Sequence, residues 1–215
     1  MEDILPAFSA GVVSTVACNS LDVIRVNYQL NKKVVFASDI FYRGLGYGLL
    51  TIPTFWTIYF PIYRESSEIL PKPMAAYISS CIGSLITSPL WYLRQLAHTQ
   101  KVHYWNTPIS TYYRGVFTTF LVNLSFTIQM PLYEYLKNKI ENNTFNIFLI
   151  TGFSKTIATS VFYPFDTIRA KIRNGESLNG MTLRGYYRGV SIYLLRSVPY
   201  HASVFCTYEF IKNRM

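Results

Sequence analysis

The sequence predicts an all-α membrane protein with six transmembrane helices arranged as three repeats of two helices. Two observations support this prediction, the composition and the recurrence of one motif. Half of the 215 residues are hydrophobic and only 14% are charged, whereas soluble domains carry about 25% charged residues. The loops between the apolar stretches are short and polar, so the chain leaves no room for a soluble domain.

Six mostly apolar stretches have the ~20-residue length of a helix that crosses a bilayer. Each contains a few polar residues, which indicates one face against lipid and another against a polar interior. The stretches are 4–28, 45–63, 74–97, 116–136, 145–168 and 190–211. We expect a single domain, 1–215, with repeats at approximately 1–70, 71–142 and 143–215.

One motif ends the first, third and fifth stretches and recurs every ~70 to 75 residues. Its copies are Ser20-Leu-Asp22-Val-Ile-Arg25, Pro89-Leu-Trp91-Tyr-Leu-Arg94 and Pro164-Phe-Asp166-Thr-Ile-Arg169. An aromatic-Arg-Gly unit follows each copy, as Tyr42-Arg43-Gly44, Tyr113-Arg114-Gly115 and Tyr187-Arg188-Gly189. Correlated elements at one spacing indicate three copies of one structural unit.

This pattern resembles the mitochondrial carrier family, whose repeat is Pro-x-Asp/Glu-x-x-Lys/Arg, a short surface helix and then aromatic-Arg/Lys-Gly. The resemblance covers the whole chain. It implies a pseudo-threefold arrangement of the three helix pairs, alternating access to a central solute site, and a multi-pass protein of the mitochondrial inner membrane. The chain is unusually short in the segments that face the matrix. This compression looks like the reduced carriers of some large DNA viruses, which would act in the host mitochondrion.

The resemblance also implies a ring of ion pairs that closes the pore on the matrix side. Asp22 is expected to pair with Arg94, and Asp166 with Arg25. The alternative is that each charge extends separately to the membrane interface. Together with a bracing glutamine, the residues that we call the charge ring are Asp22, Arg25, Gln29, Trp91, Arg94, Asp166 and Arg169.

Two positions depart from the family pattern. A third acid would be needed at position 91, where the chain has Trp91, and we expect Arg169 to stack on its indole. Kinks are expected near Pro89 and Pro164, because proline removes a backbone donor and clashes with the preceding turn. Ser20 takes the place of the first proline, so the first helix should bend less.

The opposite, cytoplasmic side has a second set of charges. They lie at the ends of the second, fourth and sixth predicted helices, which we call the even helices. The residues that match the family's Tyr-Asp/Glu-x-x-Lys pattern are Glu134, Lys137, Glu209 and Lys212. Lys137 and Glu209 form the clear pair, and the first repeat breaks the pattern at Arg64. The alternative is that these residues are ordinary solvated helix ends.

The aromatic-Arg-Gly units are expected to begin the even helices. The family associates this region with cardiolipin, and a helix N-terminus suits a phosphate group. The alternative is packing at the start of a helix without a lipid. Most of the 20 Lys and Arg residues lie on the motif side of the helices, which agrees with placing that side in the matrix.

Counting from each of these glycines reaches the family's solute-contact positions, which are Thr51, Val122 with its neighbour Asn123, and Arg196. A shift of register in the second and fourth spans would put Leu50 in place of Thr51 and Leu121 in place of Val122. An arginine in the middle of a span is costly unless it has a function, and its planar fork suits a carboxylate or phosphate. Lys155 is a second cation within a span, and no acid within the spans is evident as a partner for either. These residues predict a small anionic solute.

The Pro-x-Trp at Trp91 resembles the carriers for pyrimidine nucleotides, flavin or folate, and NAD, and the peroxisomal adenine-nucleotide carriers. A nucleotide, of ATP or dNTP type, is therefore the expected solute. A carboxylate or amino-acid carrier is one alternative, which Val122 disfavours because those carriers have an arginine there. A degenerate carrier with a structural role is the other. We expect a monomer, with no enzymatic activity, cofactor, metal or nucleic-acid partner.

Overall fold

The computed structural model describes residues 4–33, 38–101, 107–140, 144–196 and 200. Within these ranges every regular element is helical. The α-helices are α1 Ile4–Gln29, α2 Leu45–Ile69, α3 Lys72–His98, α4 Ile109–Tyr112, α5 Val116–Asn123, α6 Ser125–Lys137, α7 Thr144–Asn174 and α8 Leu183–Tyr186. A 3-10 helix covers Ser38–Phe41, and residues 190–196 form a further helical segment, α9.

The helices match the first five predicted stretches, and two of them extend beyond the prediction. α2 continues to Ile69 and α7 to Asn174. The added turns are polar, so they were not counted in the apolar stretches. The fourth stretch is divided at Leu124 into α5 and α6. There the Leu124 N–H bonds the carbonyl of Leu121 and the Thr127 N–H bonds the carbonyl of Leu124. These i to i−3 bonds tighten one turn and interrupt the regular α-helix.

The polarity of the helices is the reverse of that in a soluble protein. On α3, Ser79, Ser84 and Thr87 are buried, whereas Leu85 and Ile86 are 44% and 55% exposed. α1 and α7 have the same distribution of buried hydroxyl groups and exposed apolar side chains. Such helices fit a bilayer, in which apolar side chains face lipid and polar groups face the interior. The polar interior also lowers the mean hydropathy of the helices. Among the described residues, only the stretches Ile109–Lys137 and Phe145–Asn174 are long and apolar enough to be candidate spans.

The three motif-bearing helices α1, α3 and α7 contact one another, and the other long helices pack around them. α2 lies against α1 and α3, while α5 and α6 lie against α3 and α7. Pro89 and Pro164 lie inside α3 and α7, which continue as helices through them. The kink at each proline stays a prediction.

A single helical turn precedes each aromatic-Arg-Gly unit, as the short matrix-side segments predict. These turns are Ser38–Phe41, Ile109–Tyr112 and Leu183–Tyr186. Gly44, Gly115 and Gly189 follow with φ of 67°, 77° and 87°, in the left-handed region that favours glycine. The carbonyl of each glycine then accepts the N–H four residues later. The prediction that these units begin the even helices is confirmed.

The same three glycines touch the next repeat in cyclic order, first to second, second to third and third to first. A Cβ atom added to each would meet the backbone carbonyl of a motif arginine. The distances would be 3.0 Å for Gly44 to Arg94, 3.5 Å for Gly115 to Arg169 and 3.5 Å for Gly189 to Arg25. This order is the one expected for a threefold arrangement.

In each repeat, a polar side chain on the motif-bearing helix forms a hydrogen bond to the aromatic-Arg-Gly segment of the same repeat. This side chain lies three residues before the acid position of the motif. Asn19 donates to the carbonyls of Phe41 and Arg43, both at 3.0 Å. The equivalent bonds are Ser88 to the Tyr112 carbonyl at 3.3 Å and Tyr163 to the Arg188 carbonyl at 3.1 Å. The sequence analysis missed these three residues, although their common position relative to the motif was a usable signal.

Gly44→Ala is expected to lower the melting temperature more than Gly180→Ala. Both residues have a left-handed backbone, so each alanine costs about 1–2 kcal/mol. A Cβ on Gly44 would also lie 2.7 Å from the His98 ring and 3.0 Å from the Arg94 carbonyl, whereas Gly180 has open space. Overpacking adds about 1–3 kcal/mol. Thermal unfolding of the detergent-solubilised variants measures the difference, and equal shifts would contradict the close packing at Gly44.

Candidate functional site

The charge ring lies where α1, α3 and α7 meet. An acid and an arginine three residues apart lie on one helix face, so both members of each motif can reach a neighbouring helix. The structure forms both of the expected pairs. Arg94 Nη2 lies 3.2 Å from Asp22 Oδ2, and the Arg25 guanidinium forms an ion pair with Asp166. All four side chains are largely withdrawn from solvent.

Asp166 is the most highly coordinated acid of the charge ring. Besides Arg25, it accepts a hydrogen bond from Gln29 Nε2 at 2.8 Å and pairs with Arg169 of its own helix. Gln29 Nε2 also lies 3.0 Å from the Tyr163 hydroxyl. The expected bracing contact of Gln29 is therefore present, and it fixes the α1 to α7 side of the ring.

The expected contact between Arg169 and Trp91 was wrong. The guanidinium over the Trp91 ring is that of Arg94, 5.5 Å from the ring centroid, while Arg169 turns to Asp166 in the preceding turn of α7. A carboxylate on the same helix face gives a charge-assisted hydrogen bond, which is stronger than a cation–π contact. Trp91 therefore interacts with the arginine of its own motif.

The expectation that Arg196 has no acidic partner within the spans was also wrong. Its Nε atom lies 2.9 Å from Asp22 Oδ1, although the N–H is not aligned for a hydrogen bond. Asp22 is thus shared by Arg94 and Arg196. The pair was not evident from the sequence because Arg196 and Asp22 belong to the last and first repeats, which become neighbours only when the chain folds.

A second layer of polar contacts closes the same end of the molecule. Asn27 Nδ2 donates to the His98 carbonyl at 2.9 Å, which connects α1 to α3. Gln95 donates to the Ala170 carbonyl, which connects α3 to α7. The sequence analysis missed both side chains, which lie one or two residues beyond a motif arginine. This end of the helix bundle is closed by charge pairs and then by side chain to backbone bonds.

The opposite end of the helices contains a cavity of about 520 Å³. Its lining residues are Tyr63, Lys72, Tyr133, Glu134, Lys137 and Asn138. Glu134 pairs with Lys72 at 3.0 Å on a solvent-exposed surface, a partner that the sequence analysis missed. Lys137 lies 5.9 Å from the Tyr133 ring centroid. Glu209 and Lys212 lie outside the described residues, so the pair of Lys137 and Glu209 stays a prediction.

The remaining predicted solute contacts lie on three different helices. The Thr51 hydroxyl is buried and bonds the Tyr47 carbonyl of its own helix. Asn123 donates to Ser84 at 3.0 Å, and its neighbour Val122 is half-buried. Lys155 Nζ lies 4.2 Å from the Phe126 ring centroid. Of these side chains, Lys155 has a charge that no carboxylate within the described residues neutralises.

Outside the ring, Arg43 of the first aromatic-Arg-Gly unit forms a two-pronged bond with Asp39, with both distances 2.8 Å. These bonds lower the pKa of the Asp39 carboxyl. The contribution of the pair to stability is therefore complete above the ordinary aspartate pKa and disappears as the pH falls through the lowered value. Asp39 is exposed, so the contribution is small.

Asp22→Asn is expected to destabilise the protein more than Arg94→Ala. The first change leaves two buried arginines without their acid, whereas the second leaves Asp22 paired with Arg196. The double variant should lose less than the sum of the single variants, with a coupling of about 0.5–3 kcal/mol. Thermal unfolding of the four proteins gives this coupling, and a value of zero would refute the pair.

Comparisons with known proteins agree with this geometry. The family model described as mitochondrial carrier protein matches residues 140–215. The NAD transporter 2 of Arabidopsis thaliana mitochondria is 26% identical over 78% of this chain, which spans 61% of that relative. The mitochondrial substrate carrier family protein W of Dictyostelium discoideum is 24% identical over 95% of the chain and 84% of its own length. The mitochondrial NAD transporter 1 of Saccharomyces cerevisiae is 23% identical, with coverage of 96% and 75%.

The matches to these relatives extend through nearly the whole chain. They agree with the repeated motif, with the charge pairs at the ends of α1, α3 and α7, and with the polar interior of the helices. The chain is therefore similar to mitochondrial carrier proteins, through the family model at residues 140–215 and through these relatives over most of its length.

Proposed function

We propose that this protein exchanges a small anionic solute across the mitochondrial inner membrane by alternating access, and that the solute is a nucleotide. The observation that carries the proposal is the contrast between the two ends of the helix bundle. The charge ring closes one end, while the other end has a cavity of about 520 Å³, within the ~300–1,000 Å³ range of ligand pockets. The charge ring acts as the matrix gate, which is closed in this form.

The architecture in this proposal is six transmembrane helices in three repeats about a pseudo-threefold axis. The cyclic contacts of Gly44, Gly115 and Gly189 with the next repeat support it. The two observed ring pairs follow the same cyclic order, because the acid of one repeat meets the arginine of the next. On this basis the protein functions as a monomer, with cardiolipin at the aromatic-Arg-Gly segments.

Arg196 has two successive partners in the proposed cycle. In the closed form it pairs with Asp22, and when the solute enters, its guanidinium moves to the anionic group. Asp22 then keeps only Arg94, so the matrix gate is weakened as the solute binds. A ligand can shift a conformational equilibrium only by its differential affinity for the two states, and the change of partner at Arg196 supplies such a difference.

A row of aromatic rings supports a nucleotide as the solute. Tyr63 lines the cavity and stacks on Tyr59 at 5.7 Å with 7° between the ring planes. Phe126 lies 5.9 Å from Tyr59, and Lys155 lies over Phe126. Stacking of a base on an aromatic ring is worth about 1–3 kcal/mol. Tyr63, half-buried at the cavity, is therefore the ring on which a base would stack, and Lys155 lies behind it across Tyr59 and Phe126.

Two relatives with matches to most of the chain are named as NAD transporters, which agrees with a solute that contains a base and phosphates. A carboxylate or amino-acid carrier is disfavoured by Val122, which replaces the arginine of those carriers with an apolar side chain. A purely structural role is disfavoured by Lys155, because a cation within a span that has no carboxylate partner among the described residues is costly in a protein that binds no anion.

The solute class can be tested by thermal unfolding of the purified protein with a panel of nucleotides, dicarboxylates and amino acids. A ligand that binds the folded state raises the melting temperature by mass action. We expect ATP, deoxynucleoside triphosphates or NAD to raise it, and dicarboxylates and amino acids to leave it unchanged. Stabilisation by dicarboxylates alone would favour the carboxylate carrier instead.

A further inference from the structure

The charge ring holds more positive than negative charge in the closed form. Each of its two acids is shared by two arginines, since Asp22 pairs with Arg94 and Arg196, and Asp166 with Arg25 and Arg169. The third acid expected for such a ring is missing, because Trp91 occupies its position. The three arginines of the charge ring, together with Arg196, therefore place four guanidinium groups against two carboxylates.

Arg173, one turn beyond Arg169 on α7, adds a fifth cation. It is only 4% exposed, and Nη2 bonds the Thr119 hydroxyl at 3.1 Å. No carboxylate among the described residues pairs with it. A buried guanidinium without an acid is strongly unfavourable unless another anion is present.

The excess charge surrounds a small cavity of about 70 Å³. Its charged lining residues are four arginines and the two acids of the ring, Arg25, Arg94, Arg169, Arg173, Asp22 and Asp166. Trp91, at the position of the missing third acid, lines it as well. The Nε–H groups of Arg94 and Arg173 are buried without a hydrogen-bond acceptor within the described residues. One water needs about 10–15 Å³, so the cavity has room for one small ion and a few waters.

We propose that a small inorganic anion, chloride or phosphate, binds in this cavity and takes the place of the missing third acid. The ion accepts hydrogen bonds from the guanidinium groups of Arg173 and its neighbours and joins α3 to α7. The closed matrix gate is therefore stabilised by an exchangeable anion at one of its three positions. This site is separate from the solute site proposed at Arg196 and goes beyond the proposed function.

The test is thermal unfolding without solute, in gluconate, chloride or phosphate at constant ionic strength. Gluconate, the bulkiest of the three anions, is the reference. We expect a saturable rise in melting temperature with chloride or phosphate, and the anion with the lower half-saturating concentration is the occupant. Melting temperatures that are equal in the three salts would overturn the proposal.

Variants separate this site from general salt effects. Trp91→Asp supplies a fixed carboxylate, so it should raise the melting temperature in gluconate and remove the response to the anion. Trp91→Phe, which adds no charge, should keep the response. Arg173→Gln should weaken anion binding at least about tenfold by removing a charged donor, whereas the exposed Arg184→Gln should not. A full response in Arg173→Gln would contradict the site even if Trp91→Asp fails to fold. Because no solute is present, the result is independent of the proposed transport function.

Discussion

Arg196→Ala is expected to abolish solute exchange. In the closed form Arg196 contacts Asp22 at 2.9 Å, and in the proposed cycle it receives the anionic group of the solute. Each charge-assisted hydrogen bond to a solute is worth about 1.5–3 kcal/mol, and the guanidinium can form two. Loss of both reduces exchange at least ~100-fold. Initial uptake rates in liposomes that contain the variant measure this effect.

Further variants separate solute binding by Arg196 from support of Asp22. Arg196→Lys should restore only part of the exchange, because an ammonium group lacks the two-pronged fork. Asp22→Asn should reduce stability but keep the rise in melting temperature that a nucleotide causes. The exposed Arg64→Ala controls for the loss of one positive charge. A nucleotide-induced shift that persists in Arg196→Ala would remove Arg196 from the solute site.

Asp166→Asn is expected to give the largest loss of stability among the ring variants. The change removes the acid shared by Arg25 and Arg169 and weakens the bond from Gln29. Removal of one partner from a buried ion pair costs about 3–5 kcal/mol. At about 2–4 °C per kcal/mol for a chain of this size, the melting temperature should fall by roughly 6–20 °C. Exchange should fall as well, because the closed state is no longer held.

Asp39→Asn is the matched control for Asp166→Asn. It is the same chemical change, and it also removes an arginine pair, but that pair is exposed and lies within one short segment. Exposed pairs contribute little to stability, so the melting temperature should change little. Equal falls in the melting temperature of the two variants would show that Asp166 stabilises the protein no more than the exposed Asp39 does.

The repeated motif and the family resemblance together predicted the core of the charge ring. The spacing of three residues places an acid and an arginine on one helix face, and the resemblance implied the pairs of Asp22 with Arg94 and of Arg25 with Asp166. The start of the even helices at Gly44, Gly115 and Gly189 also followed. These features depend on local geometry that is repeated three times, and local geometry is encoded in residue spacing.

The contacts that the sequence analysis did not predict depend on the positions of whole helices. Arg196 meets Asp22 because the last repeat lies beside the first, and no spacing encodes that distance. Lys72 meets Glu134 at the ends of helices from the same repeat, and Lys72 belongs to neither repeated pattern. Arg169 had two possible partners, Trp91 and Asp166. The sequence alone did not show that the ion pair with Asp166 is the more stable contact.

Counter-exchange in liposomes tests the central claim of an anion exchanger most directly. Purified protein is reconstituted into liposomes that are preloaded with ATP, a dicarboxylate or buffer alone, and uptake of labelled nucleotide is followed. The account predicts rapid uptake into liposomes loaded with nucleotide, little uptake into the other two, and none with Arg196→Ala. Uptake that is independent of the internal solute, or no uptake of any panel member by a folded protein, would contradict it.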